Sequence, residues 1–297
     1  MYPDPDRPRT VGKLDILILA VIAAAAVFVW YRVADVLVYR WNWSFLPQVL
    51  VRHDDRLGLW VPNLLLEGLL TTLRISMWSM LIASLFGIAL GVMATMQRLF
   101  PRMVAFTYVG LIRNIPPLVF IFVFYFFISS QIVPALGLDS WARDLGHVGH
   151  WIINILLGPG ELFENLVSGV LCLAMFEAAY ICEIVRAGIR SVPDSQREAA
   201  SSLGLGRWQA FRLVVLPQAL RAVMPPMANQ FIMLVKNSAI MSLISVQELT
   251  FTGTEVAVST NRRFEAWIVV AVMYFLLCYG LALLFAYLER RSRLSAR

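Results

Sequence analysis

Apolar stretches long enough to cross a bilayer recur along the chain. About 20 consecutive apolar residues suffice for a spanning helix, and Ile75 to Met96 and Ala266 to Leu288 are longer than that with no charge inside. Ile16 to Tyr31 is shorter but helical in composition. Three further stretches, Met103 to Ser129, Leu166 to Arg186 and Ala222 to Val246, are apolar with isolated polar interruptions. The pattern predicts an all-α membrane protein with six transmembrane helices.

The first stretch, Leu14 to Ala34, follows Arg7, Arg9 and Lys13 as a signal peptide would. Its apolar part is longer than an ordinary signal core, and Trp30, Tyr31 and Arg32 follow in place of a small-residue cleavage site, so it is expected to remain as an anchor. Two outer segments are longer than a turn. Trp41, Trp43 and Trp60 flank one and Trp141 and Trp151 lie in the other, where indole rings suit the headgroup level. Ser140 to Leu157 is expected to lie along the interface as a helix.

Composition excludes the soluble alternatives. Of 297 residues, 59% are hydrophobic and 15% charged, against roughly 45–50% and 25% in soluble domains, and the mean hydropathy is +0.71. A soluble globule has no place for that much apolar surface. The net charge of +6 does not point to nucleic acid: only Lys13 and Lys236 are lysines, and the arginines sit in short blocks between apolar stretches. With six spans and a cytoplasmic N-terminus, fifteen cations fall inside and seven outside, which is the positive-inside pattern. Both termini are therefore expected in the cytoplasm. Cys172, Cys182 and Cys278 all fall in apolar stretches and give no disulfide framework.

Candidate chemistry is sparse. A P-loop needs a glycine-rich turn ending in Gly-Lys-Ser/Thr, and neither lysine stands in one, so any ATP and its Mg would be bound by a separate chain. His53, His147 and His150 lie in outer segments; the last two have helical i, i+3 spacing but only Asp144 for acidic company, and ordinary loop histidines are expected rather than a metal site. No residue is assigned a catalytic role.

The inner segment from Arg186 to Pro217, RAGIRSVPDSQREAASSLGLGRWQAFRLVVLP, is the informative one. Glu198-Ala199-Ala200 favours helix, and Gly204 and Gly206 stop it. A second short helix is expected from Arg207 to Leu216, ending at Pro217. Taken alone, this is a basic helical hairpin that could rest on anionic membrane lipid. Glu198-Ala199-Ala200, then three residues, Gly204, nine residues and Val214-Val215-Leu216-Pro217, resembles the EAA motif of the permease subunits of bacterial ABC importers, with Val214 in place of the usual isoleucine. AYICEIVRAGIRSV, RNIPPL and PQALRAVMPPMANQ resemble the polar amino acid branch, although Ser195 stands where that branch has glycine. WNW at Trp41 to Trp43 and KNSAI at Lys236 to Ile240 are similar to glutamate/aspartate importer permeases.

The resemblance covers residues 64 to 290. It implies a type I ABC importer transmembrane domain over 62–292 with its coupling loop at 187–217, preceded by a tail, first helix and periplasmic segment at 1–61 and followed by a cytoplasmic tail at 293–297. It also implies two ATPase subunits, an identical or paralogous permease partner, a periplasmic amino-acid-binding protein and residence in the inner membrane. Glu198, Ala199, Ala200, Gly204 and Pro217 are the expected ATPase-coupling residues. The rival functional class is an ion-gradient-driven secondary transporter or channel, and a lipid-modifying membrane enzyme lacks any clustered constellation.

An ionisable side chain at the bilayer centre costs about 2.5–3.5 kcal/mol on insertion scales and asks for a partner or a wet cavity. Glu177, Arg113 and Lys236 are the candidates, and all three are expected along the substrate pathway. Arg113 precedes Pro116 and Pro117, whose missing N–H groups would free carbonyls for its guanidinium; it is either a kink clamp or a substrate contact. Lys236 and Asn229 are seven residues apart on one helical face, and with Ser238 they form a polar stripe that would line a path for a carboxylate. The alternative for Lys236 is a structural pair with Glu177. Glu183 and Arg186 are spaced as an intrahelical pair. A cation at membrane depth points to polar, and specifically acidic, amino acids as cargo.

Overall fold

The computed structural model describes residues 12–36, 39–55, 58–135, 137 and 163–294. The expected interfacial helix Ser140 to Leu157, with Trp141, Trp151, His147 and His150, lies outside the described residues. The chain divides between Trp43 and Ser44 into two units, each taken by itself.

The first unit is built on α1 (Lys13–Val36), which is apolar on all faces. Asp15 stands in its first turn, where a carboxylate favours the exposed N–H groups, and accepts from the Gly12 amide at 2.8 Å. Beyond the helix Trp41 stacks on Trp43 with centroids 5.9 Å apart.

The second unit opens with α2 (Leu46–Leu50) and an antiparallel hairpin, β1 (Val51–Asp54) with β2 (Leu59–Pro62), paired from Val51↔Pro62 to Asp54↔Leu59. The helices follow: α3 (Leu64–Thr95), α4 (Leu99–Asn114), α5 (Pro117–Phe124), α6 (Ser130–Ala135), α7 (Phe163–Arg190), α8 (Asp194–Ser202), α9 (Arg207–Ala210), α10 (Leu216–Asn237), α11 (Leu249–Ser259) and α12 (Arg263–Leu294). Wide π-turns join α5 to α6 through Tyr125–Ser129 and α9 to α10 through Phe211–Val215. A 3-10 segment, Ser238–Ile244, extends α10.

Five helical stretches among the described residues are long and apolar enough to span, and six result when the bent run Arg207–Ile244 with Leu249–Ser259 is one span. The sixfold expectation agrees, but three boundaries differ for physical reasons. At 32 residues, α3 is about 48 Å long, well beyond the hydrocarbon thickness of about 30 Å. Its charged residues, Glu67 and Arg74, therefore belong to the same helix as the apolar stretch expected to begin at Ile75. Met103 to Ser129 is not one helix. Ile115 is extended (φ −99°, ψ 134°) because a residue before proline is pushed out of the helical region, so α4 ends at Asn114 and Pro117 begins the next span. Finally, the second helix of the inner loop does not end at Pro217. There the π-turn lets the Leu216 amide reach the Phe211 carbonyl, and Gln218 Nε2 takes the Val214 carbonyl at 2.9 Å, so α10 continues to Asn237.

Helix α7 is the centre of the unit: 67% of its most apolar stretch is buried, against 6% for α12. It packs along α3 through a row of small residues at four-residue spacing, Ala83, Gly87 and Gly91, facing Ala178, Ile181, Cys182 and Val185. A Cβ at Gly87 would stand 2.6 Å from Ile181 Cβ, and one at Gly91 2.7 Å from Val185 Cβ. Close backbone approach of this kind drives helix association in lipid, where apolar burial gives no advantage over the acyl chains. Ser79 Oγ donates to the Val170 carbonyl across the same seam at 3.1 Å, and Tyr108 of α4 donates to the Met175 carbonyl.

Gly87→Val is expected to cost about 1–3 kcal/mol by overpacking, read as a lower melting temperature in detergent. Gly110→Ala, with open space around it, is the control and should leave melting unchanged; equal melting of both variants would contradict the close seam.

Candidate functional site

The inner loop is a rigid turn. Helix α8 begins after Pro193, and Asp194 and Arg197 pair across its first turn at 3.3 Å. Ser195 is an ordinary helical residue here. Arg197 also donates to the Ile189 carbonyl at 3.0 Å, which ties α8 back to the end of α7. At the other end Gly204 has φ +75°. The Leu205 amide bonds the Ala200 carbonyl at 3.1 Å and the Gly204 amide bonds Ser201 at 3.0 Å, the paired bonds of a Schellman cap, which requires a left-handed residue where glycine carries no penalty. Arg207 then reaches Gln97, between α3 and α4, at 3.2 Å.

Of the motif residues, Ala200 is buried at 2% and faces inward, while Glu198, Ala199 and Gly204 are exposed. Leu203 and Trp208 beside them are 80% and 70% exposed, an apolar pair that the sequence pattern did not single out. Pro217 is in the first turn of α10, so it starts that helix.

A second cluster lies between α7 and α10. Glu177 is fully buried. One of its carboxylate oxygens accepts from Asn237 Nδ2 at 2.8 Å and the other from Gln230 Nε2. The expected pairing of Glu177 with Lys236 is thus replaced by two carboxamides seven residues apart on one face of α10. Next to Asn237 in sequence, Lys236 points the other way. It is exposed and lines an apolar recess of about 520 Å³ between α10 and α12, with Ile232, Tyr274, Phe275 and Cys278 among its walls. Among the described residues Lys236 makes no hydrogen bond or ion pair.

The expected polar stripe is divided. Asn229 and Lys236 are both exposed, but Ser238 is buried and donates to the Val235 carbonyl at 2.8 Å, because the chain tightens to 3-10 at Ser238 and turns the side chain inward. Arg113 does not clamp freed carbonyls either: Asn114 Nδ2 takes the Gly110 carbonyl at 2.7 Å, and the Arg113 guanidinium lies 5.5 Å over the Tyr180 ring, a cation–π contact. Glu183 and Arg186 form the expected pair, with nitrogen and oxygen 2.5 Å apart.

Sequence reasoning also missed a buried polar joint at the start of α11. Glu248, fully buried, caps α11 by accepting from the Phe251 amide at 2.9 Å and accepts from the Tyr274 hydroxyl of α12 at 2.6 Å. Thr72 of α3 lies 3.5 Å away and receives the Leu249 amide at 3.1 Å. The signal was faint, a single glutamate one residue before an apolar helix. Among the described residues no group of three or more metal-ligating side chains comes together.

A family model described as "Binding-protein-dependent transport system inner membrane component" matches residues 83–294. The chain belongs to this family. Its relatives include the glutamate/aspartate import permease protein GltJ of Escherichia coli (strain K12), 32% identical over 258 residues, covering 86% of this chain and 96% of that one. The probable glutamine ABC transporter permease protein GlnM of Bacillus subtilis (strain 168) is 32% identical over 229 residues, covering 77% and 93%. Among solved structures, an amino acid ABC transporter described as crystallised with histidines aligns at a TM-score of 0.62 and 31% identity over 77% of this chain and 94% of that one. The MetNI methionine ABC transporter in an inward-facing form shares the fold, with a TM-score of 0.57 at 19% identity over 77% and 95%. The chain is therefore a multi-pass, non-catalytic permease subunit of the inner membrane with the type I ABC importer fold.

Proposed function

We propose that this permease imports polar amino acids, acidic ones in particular, driven by ATP that a separate ATPase binds with Mg and hydrolyses. The observation that carries the reading is the loop 187–217. A short helix closed by a glycine cap is tied to the ends of both α7 and α10 and displays Glu198, Leu203 and Trp208 outward. An exposed apolar pair beside a carboxylate, held on a rigid turn, suits insertion into a groove of a partner protein. Closure of an ATPase dimer would then pull on the spans that the loop joins. Two copies of this chain, or this chain and a paralogue, sit on two ATPase subunits, and a periplasmic binding protein delivers the cargo.

The amino acid reading follows the relatives, named for glutamate, aspartate and glutamine import. The acidic preference rests on Lys236, the exposed cation in an apolar recess at membrane depth, where a carboxylate is attracted far more strongly than in water. Cation counting favours both termini in the cytoplasm, and labelling of a cysteine at Ser295 by an impermeant reagent only after permeabilisation would support that orientation.

Uptake of labelled glutamate, aspartate and glutamine into vesicles holding the permease, its ATPase and its binding protein tests the proposal. Gly204→Leu forces a side chain into the left-handed region, costing about 1–2 kcal/mol at that residue, and is expected to abolish uptake while the chain still inserts. Normal uptake by Gly204→Leu contradicts the coupling role. Lys236→Met is expected to lower acidic amino acid uptake at least tenfold relative to glutamine; an unchanged preference removes the basis for acidic cargo.

A further inference from the structure

We infer that Glu177 is a positioning residue that joins α7 and α10 into one moving part, so that displacement of the inner loop reaches the pathway side of α10. The inference rests on the coupling role proposed for that loop.

Both helices leave the same loop: α7 ends at Arg190 and α10 begins at Leu216. They run antiparallel and stay in contact away from the loop. Nearest it, Ile189 and Val192 share an apolar cluster with Val215 and Ala219. Farther out, Gly188 lies against Val223. Farther still, at the end of α10, Glu177 holds Gln230 and Asn237, and beyond it Gly169 packs on Met241 and Val246. From Arg190 to Glu177 the seam is about 20 Å long at 1.5 Å per residue, about two-thirds of the hydrocarbon thickness of about 30 Å. The apolar contacts along the seam hold by packing alone and have no bond direction to fix the rotation of one helix against the other. The carboxylate differs. Separating it from the two carboxamides would leave three polar groups unsatisfied in a non-aqueous interior, a penalty of about 1–3 kcal/mol for each. Among the described residues these are the strongly directional ties between α7 and α10, and they stand at the end of α10 remote from the loop.

The orientation of the neighbouring groups agrees with a positioning role and not with cargo contact. Glu177 is fully buried with both oxygens occupied, whereas Lys236 turns to the opposite side of α10. Holding Asn237 thereby fixes the rotation of α10 and the direction of Lys236.

Two readouts in the reconstituted permease–ATPase complex test this. In Glu177→Met, which keeps volume but removes both acceptors, substrate imported per ATP hydrolysed is expected to fall at least fivefold while ATP hydrolysis continues. Glu177→Gln, which retains an acceptor and can pair with reoriented amides, should recover to within about twofold of the parent. With spin labels at Leu171 and Leu243, the unmodified permease should give the same separation without nucleotide and with ATP, and Glu177→Met a separation that changes with state. An unaltered ratio in Glu177→Met, a parallel loss of hydrolysis and import, or a separation that shifts in the parent chain would each overturn the inference. Failure of the loop assignment has a different signature, namely normal import by Gly204→Leu.

Discussion

Close backbone contact between α3 and α7 is the constraint on which the rest of the unit depends. Lipid gives two apolar helices no reason to associate, so the energy must come from packing and from hydrogen bonds that water cannot replace. Ala83, Gly87 and Gly91 remove the side chains that would hold the helices apart. Once α7 is seated it presents Glu177 to α10 and Met175 to Tyr108 of α4, and α3 presents Thr72 to the start of α11. Helices α4, α10 and α11 are thus each added to the central pair through a specific polar contact.

Two of the buried carboxylates, Glu248 and Glu177, have different consequences. Glu248 gathers a helix N-terminus, a tyrosine and a threonine from three helices and fixes the bend that turns the chain into α11. Glu177 joins only two helices, both of which enter the inner loop. A polar joint among three elements makes a fixed corner; one between two elements makes a strut. The split matters for an alternating-access transporter, which needs parts that move whole as well as corners about which they move.

Much of this was legible in the sequence. Apolar run length revealed the number of spans because hydrocarbon thickness fixes it, and the spacing of Glu198, Ala199, Ala200 and Gly204 revealed the cap, since a left-handed residue after a helix is a local demand. Breaks were harder to place. Pro116 and Pro117 were visible, yet whether α4 would kink or stop depended on how Asn114 and Ile115 settled; Pro217 looked like a terminus, yet the π-turn before it carried the helix on. Partners of buried charges were least legible. Glu177 and Lys236 have complementary charge and suitable depth, but the helix rotation that sends Asn237 inward sends Lys236 outward, and one residue of offset decides between them.

The central claim is that this chain converts ATP-driven movement of its inner loop into amino acid passage across the membrane. The most direct test is accumulation of labelled glutamate, aspartate and glutamine in vesicles reconstituted with the permease, its ATPase and its binding protein, with no ion gradient imposed. The account predicts accumulation that requires ATP and the binding protein and is indifferent to ionophores. Accumulation that persists without ATP and collapses when an ion gradient is dissipated would contradict it and identify a secondary transporter instead.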